Sequence, residues 1–158
     1  MKDITSALET NPKAAAKIDH AIRDYQHAAN DLKHAVEDLK HAKQDCAHAI
    51  GDFDHLINDF EHAINDWKLG GSQSGHATED YEHGDKDRAH AIGDLEHAIK
   101  DITHALGDFK HAMRDLKHLD KDLAAAVDLL ADSEISVADL KAHVVSQAEG
   151  GSAPAGES

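Results

Sequence analysis

The chain has 158 residues and a formal net charge of −15, which suits at most one domain and argues against nucleic acid and anionic membranes and for cationic partners. Apolar residues make up 41% and aromatics only 4%, so a core is allowed but thin helical packing on alanine is favoured over a thick mixed interior. Cys46 is the only cysteine, so no internal disulfide forms.

Residues 1–17 lack the apolar run of a signal peptide, and no stretch is apolar enough to cross a membrane. The chain as written reads as cytoplasmic; one whose export signal had been removed would be periplasmic. In chain order, residues 1–11 form an N-terminal segment with a short helical turn. Asn11-Pro12 then reads as an N-cap followed by proline at the first helical position. One uninterrupted helix is expected over about 12–68, weakened only at Gly51 by ~1 kcal/mol relative to alanine. At ~1.5 Å per residue it would run roughly 85 Å. The Gly70–Gly75 run places a turn at 69–77, and a second helix follows over about 78–131. Gly84, Gly93 and Gly107 make it the more pliable helix, and the heptad around Gly84, Asp85 and Arg88 lacks apolar residues, which predicts looser packing there. The pattern breaks at Asp132-Ser133. Segment 133–149 holds a short capping helix: Ser136 is its N-cap, Asp139 completes a capping box, and Ile135 and Leu140 form a hydrophobic staple. Gly150-Gly151 stops it, and 150–158 reads as a disordered tail.

A seven-residue beat runs through both long helices. Histidine falls at His20, His27, His34, His41, His48, His55 and His62, then at His76, His83, His90, His97, His104, His111 and His118. The skipped slot holds Leu69. Four residues after each histidine comes an aspartate: Asp24, Asp31, Asp38, Asp45, Asp52, Asp59 and Asp66, then Asp80, Asp87, Asp94, Asp101, Asp108, Asp115 and Asp122. Nearly every histidine therefore has an aspartate at i−3 and another at i+4, both on its own helix face.

The residue after histidine is usually alanine, and the one after aspartate is usually large and apolar. Wound at ~3.5 residues per turn, the repeat puts alanine opposite solvent, an apolar stripe on one flank and a histidine–aspartate stripe on the other. The fold class is all-α: a long antiparallel, coiled-coil-like hairpin plus a short C-terminal helix. A hairpin alone satisfies only one flank of each helix. Two copies pairing into a four-helix bundle satisfy both, which predicts a homodimer through the apolar or the His/Asp seam. Folding about the centre of the glycine–serine turn makes facing residue numbers sum to about 145, as His62 and His83 do, down to His27 and His118. Asp59 then faces Asp87, and Asp66 faces Asp80. In this register His20 meets Ala125 and His76 meets Leu69, so these end histidines stand outside the facing pairs.

Facing histidines and carboxylates make a nitrogen–oxygen ligand set for divalent transition metals. Zinc suits it best; copper, iron, nickel and cobalt are the other candidates. Tiers one heptad apart lie about 10 Å apart at ~1.5 Å per residue. A two-metal catalytic centre needs ~3.5–4 Å, so the pattern suits a row of separate ions. Left without cations, facing aspartates would destabilise a seam. The expected function is non-enzymatic: storage, buffering or detoxification of several metal ions per chain. The alternative is a structural or partner-binding coiled coil whose His–Asp ladder responds to pH. A metal-dependent redox enzyme is a third reading. The sequence carries no haem-attachment motif, phosphate loop or serine-nucleophile motif, and no catalytic residue is assigned. Cys46 occupies a packing slot, and His143 is out of frame.

The regular histidine spacing and the adjacent alanine, over roughly 20–118, resemble the bacterial small metal-binding proteins. That resemblance implies a helical protein binding several divalent ions. The regular aspartate partner and the two very long helices depart from that family.

Overall fold

The computed structural model describes residues 4–69 and 74–150. Four α-helices follow in order: α1 (Ile4–Thr10), α2 (Pro12–Leu69), α3 (Ser74–Leu129) and α4 (Val137–Gly150), with a 3₁₀ turn at Ala131–Ser133 before the last. Among the described residues there is no strand, and no helix is long and apolar enough to cross a membrane. Helices α2 and α3 pack against each other as an antiparallel hairpin. The expected turn at 69–77 falls largely on 70–73, outside the described residues, as does the expected tail from 151.

Local signals place the helix ends. Asn11 Oδ1 accepts the Ala14 amide at 3.1 Å, and Asn11 Nδ2 donates to the Leu129 carbonyl at 2.8 Å. One side chain thus caps the start of α2 and satisfies a carbonyl left open at the end of α3. The Ser136–Asp139 capping box forms as read: the Asp139 amide donates to Ser136 Oγ at 3.2 Å, and the Ser136 amide donates to Asp139 Oδ2 at 2.9 Å. Its staple partners Ile135 and Leu140 are both buried. Two expected boundaries need correction. Helix α3 begins at Ser74 rather than near Thr78, because Ala77 is fully buried and keeps the heptad in phase across Gly75. It ends at Leu129 rather than Ala131, where the chain tightens into the 3₁₀ turn and Glu134 takes a left-handed φ of 51°.

The chain divides into two compact units, residues 1–34 with 107–158 and residues 35–106. The first holds the thick core. Ile18, Ala21, Leu119 and Leu123 from the hairpin pack with Leu130, Ile135, Leu140 and Val144, and Ile4, Ala7 and Leu8 of α1 lie against them. The second is hairpin alone, and its seam is lined with alanine: Ala35, Ala42, Ala49, Ala63, Ala77, Ala91, Ala98 and Ala105 are all buried. The position after histidine is thus the seam, as the repeat implies. The large apolar flank is not fully buried: Ile50, Ile57, Ile64, Ile92 and Ile99 are exposed, because two helices meeting on alanine leave their wider side chains at the edge.

The expected loosening around Gly84 does not occur at the seam. Gly84 is buried, and a Cβ built there would meet Phe60 Cε1 at 2.9 Å and Leu56 Cδ1 at 3.1 Å. Here α2 carries Leu56 in the alanine slot, and α3 answers with glycine. Phe60 is held from the other side by stacking on Tyr81, with ring centroids 5.3 Å apart. A Cβ at Gly93 meets nothing within 4 Å. Gly93→Ala should therefore stabilise the protein by up to ~1 kcal/mol through helix propensity. Gly84→Ala should lose about 1 kcal/mol net, because overpacking costs ~1–3 kcal/mol against that gain. Thermal melts followed by circular dichroism should move in opposite directions; a rise for Gly84→Ala would contradict the close packing.

Candidate metal centre

The stripe has an inner and an outer edge. All fourteen of its aspartates are buried or half-buried, and all fourteen of its histidines are exposed. Aspartate is the neighbour of alanine round the helix, so carboxylates lie along the seam and imidazoles stand outside them. Side chains on a helix lean toward its N-terminus, so an aspartate at i+4 reaches back beneath the histidine at i.

Among the described residues, two groups bring ligand atoms within 4.8 Å of one another: His20, Asp24 and Asp122 in the first unit, and Asp59, His83 and Asp87 in the second. In the first, His20 Nδ1 lies 2.7 Å from Asp122 Oδ2 across the hairpin and 3.2 Å from Asp24 Oδ2 on its own helix. In the second, His83 Nδ1 lies 2.7 Å from Asp59 Oδ2 across the hairpin and 3.7 Å from Asp87 Oδ2 on its own helix. The groups are the same motif with the helices exchanged. Asp24 and Asp87, at 7% and 9% exposure, each keep a buried Oδ2 without a hydrogen bond. A buried carboxylate oxygen left so is costly unless a cation or donor meets it.

The facing aspartates Asp59 and Asp87 meet as the turn-centred register implies. Histidine does not follow that register in these groups. His83 meets Asp59, and His20 meets Asp122 rather than Ala125. His20 is therefore a member of a cluster and not a bystander. His76 lies 3.8 Å from Glu79, and both side chains are largely exposed. His27, Asp31, His111, Asp115 and His118 line one open groove with Arg114. The other stripe residues hold the same helix positions, with exposed histidines and half-buried aspartates. Lys17 is the contact that the repeat did not reveal: its Nζ sits 2.8 Å from Asp122 Oδ1. It stands one heptad before Asp24, in an aspartate slot, which was the available signal.

For bonds of ~2.0–2.1 Å, the edges of a tetrahedral zinc site are about 3.3 Å. The nitrogen–oxygen separations of 2.7, 3.2 and 3.7 Å bracket that value. The same atoms also pair as ions when imidazole is protonated. The hydrogen bond that His83 donates to Asp59, then the charges of Asp59 and Asp87, hold the His83 pKa above the usual 6.5. At Asp122, burial pushes the carboxyl up, but hydrogen bonds and charge from Lys17 and His20 outweigh it and leave the pKa below 3.8. Asp122 thus contributes stability above the ordinary carboxylate range, lost as pH falls through its lowered pKa. His83 contributes in the opposite sense: fully below 6.5, fading as pH rises through its raised pKa. In metal-free protein, NMR titration should place the His83 midpoint above 6.5, and Asp59→Asn should bring it back down. An unchanged midpoint in that variant would remove the Asp59 contact from the account.

Nothing outside the chain adds to this geometry: no protein-family model, no curated protein and no solved structure matches it.

Proposed function

We propose that the protein binds several divalent transition-metal ions along its histidine–aspartate stripe, as a store or buffer rather than an enzyme. The observation that carries this reading is the pair of equivalent clusters, each with a buried carboxylate oxygen that makes no hydrogen bond. Zinc is the first candidate, because mixed imidazole–carboxylate sets suit it and it tolerates varied geometry. Copper, iron, nickel and cobalt compete for the same donors. Binding consumes neutral imidazole, so protons compete with metal near the ordinary histidine pKa of ~6.5.

The ion pair between His83 and Asp59 favours a second reading, a ladder of imidazolium–carboxylate contacts that tightens in mild acid. Metal stoichiometry separates the two. Calorimetry or native mass spectrometry with zinc should reach on the order of six ions per chain if each site uses a set of the helical-bundle kind. Changing Asp45, Asp52, Asp94 and Asp101 to asparagine should remove the central sites and raise metal-free stability, while changing solvent-facing Glu61, Lys68, Glu96 and Lys110 should do neither. Saturation at one or two ions, or full capacity in the asparagine variant, would defeat the reading.

A second copy of the chain is the proposed cover for the exposed row of Ile50, Ile57, Ile64, Ile92 and Ile99. The same stripe lies on both arms of the hairpin, so a two-fold axis sets like against like and closes the four-helix bundle. Sedimentation equilibrium should give a dimer that Ile50→Glu with Ile99→Glu converts to monomer. A monomeric parent at tens of micromolar would rule the dimer out.

A further inference from the structure

We infer that each metal site is a tier with internal two-fold symmetry, made of one His-x-x-x-Asp pair from α2 and one from α3, with His55 the fourth ligand beside Asp59, His83 and Asp87. This rests on the multi-ion reading above and specifies its ligand set.

The two helices exchange roles between the clusters. In one, the α2 histidine His20 bridges an aspartate pair; in the other, the α3 histidine His83 does so. The facing aspartates have numbers that sum to 146 in both cases, Asp24 with Asp122 and Asp59 with Asp87. The cross-helix His–Asp contacts sum to 142 in both. An antiparallel pair of identical repeats has a two-fold axis through each aspartate pair, so what one helix supplies the other supplies too. Applied to the second cluster, the axis carries His83 onto His55; applied to the first, it carries His20 onto His118. Both partner histidines have exposed side chains.

The chemistry of the completed tier closes. Two carboxylates and two neutral imidazoles around one divalent cation leave no net charge, a far smaller burden beside an apolar seam than two bare carboxylates. Four donors also meet the tetrahedral preference of zinc or cobalt(II), which three donors leave short. The buried Oδ2 atoms of Asp24 and Asp87, which make no hydrogen bond and have an imidazole of their own helix at 3.2 and 3.7 Å, then gain a cation. His34, Asp38, His104 and Asp108 are divided between the two units. Within single units the rule yields six complete tiers, two in the first and four in the second.

The competing ligand set is the Asp-x-x-His step, in which Asp59 and His62 meet Asp80 and His83. The two sets share His83 and differ in its partner, so paired substitutions decide between them. His55→Ala with His83→Ala strips both imidazoles from one tier; His62→Ala with His83→Ala takes one from each of two. Zinc titration by native mass spectrometry and calorimetry, with helicity checked by circular dichroism, is the test. The expected result is loss of one ion from the His55/His83 variant, with the others bound at parental affinity. The His62/His83 variant should keep its capacity, with two ions weakened at least about tenfold, the low end for disturbing even an outer partner of a ligand. The reverse assignment, or equal losses in both variants, would overturn the two-fold tier while leaving multi-ion binding intact. A parent that takes up only one or two zinc ions would instead overturn the proposed function, whatever the variants do.

Discussion

Facing carboxylates beside an alanine seam are the constraint on which the rest of the structure depends. Two unit charges within the 4.8 Å of a cluster repel by about 3 kcal/mol at an effective dielectric of ~20. Per heptad, the seam offers in return one alanine methyl from each helix, at ~0.8 kcal/mol per buried carbon. Alanine packing therefore cannot hold a bare aspartate pair closed. In both clusters an imidazole stands against the carboxylate pair, and exposed histidines recur with every heptad of the stripe. Whether a proton or a metal ion would neutralise such a pair is what separates the two functional readings.

The two units solve this differently. Around the chain termini, α1 and α4 cover the hairpin, and Ile18, Leu123, Leu140 and Val144 give it an apolar core that does not depend on the stripe. There a lysine also stands in an aspartate slot, so that Asp122 meets a fixed cation as well as an imidazole. Among its described residues, the other unit has neither aid beyond the aromatic contact of Phe60, Tyr81 and Trp67. Its stability would gain more from anything that neutralised its aspartates or covered its exposed isoleucines. Ligand-linked folding follows mass action, so an ion binding only the folded unit would stabilise it by an amount that grows with the logarithm of free ion concentration above Kd.

Much of this was legible from the sequence, and the limits have a physical cause. The caps at Asn11 and Ser136 are local, so their side chains report the helix starts directly. The seam is legible because alanine recurs at a fixed phase, and the facing of Asp59 with Asp87 follows from the repeat and the turn together. The histidine partner is not legible in that way. Aspartate lies at both i−3 and i+4, and choosing between them needs the axial offset of the helices to within one turn. That offset is tied to side-chain packing such as Phe60 and Leu56 against Gly84, a single contact that no period contains. The start of α3 at Ser74 was missed for a related reason, because burial of Ala77 outweighs the turn preference of the glycines before it.

The alanine seam also acts as a gauge. Helix axes separate by roughly 8–10 Å depending on the side chains between them, and alanine holds the pair at the narrow end. Because the aspartates spring from the next position round the helix, the gap between opposed carboxylates is set by backbone separation rather than by side-chain choice. Ions of zinc size, with bonds of ~2.0–2.2 Å, fit a narrow gap, whereas calcium needs ~2.3–2.6 Å and more oxygens. Selection by radius would then be a property of the alanine seam within each unit, and a single bulky seam residue would shift it for its neighbours as well as for itself.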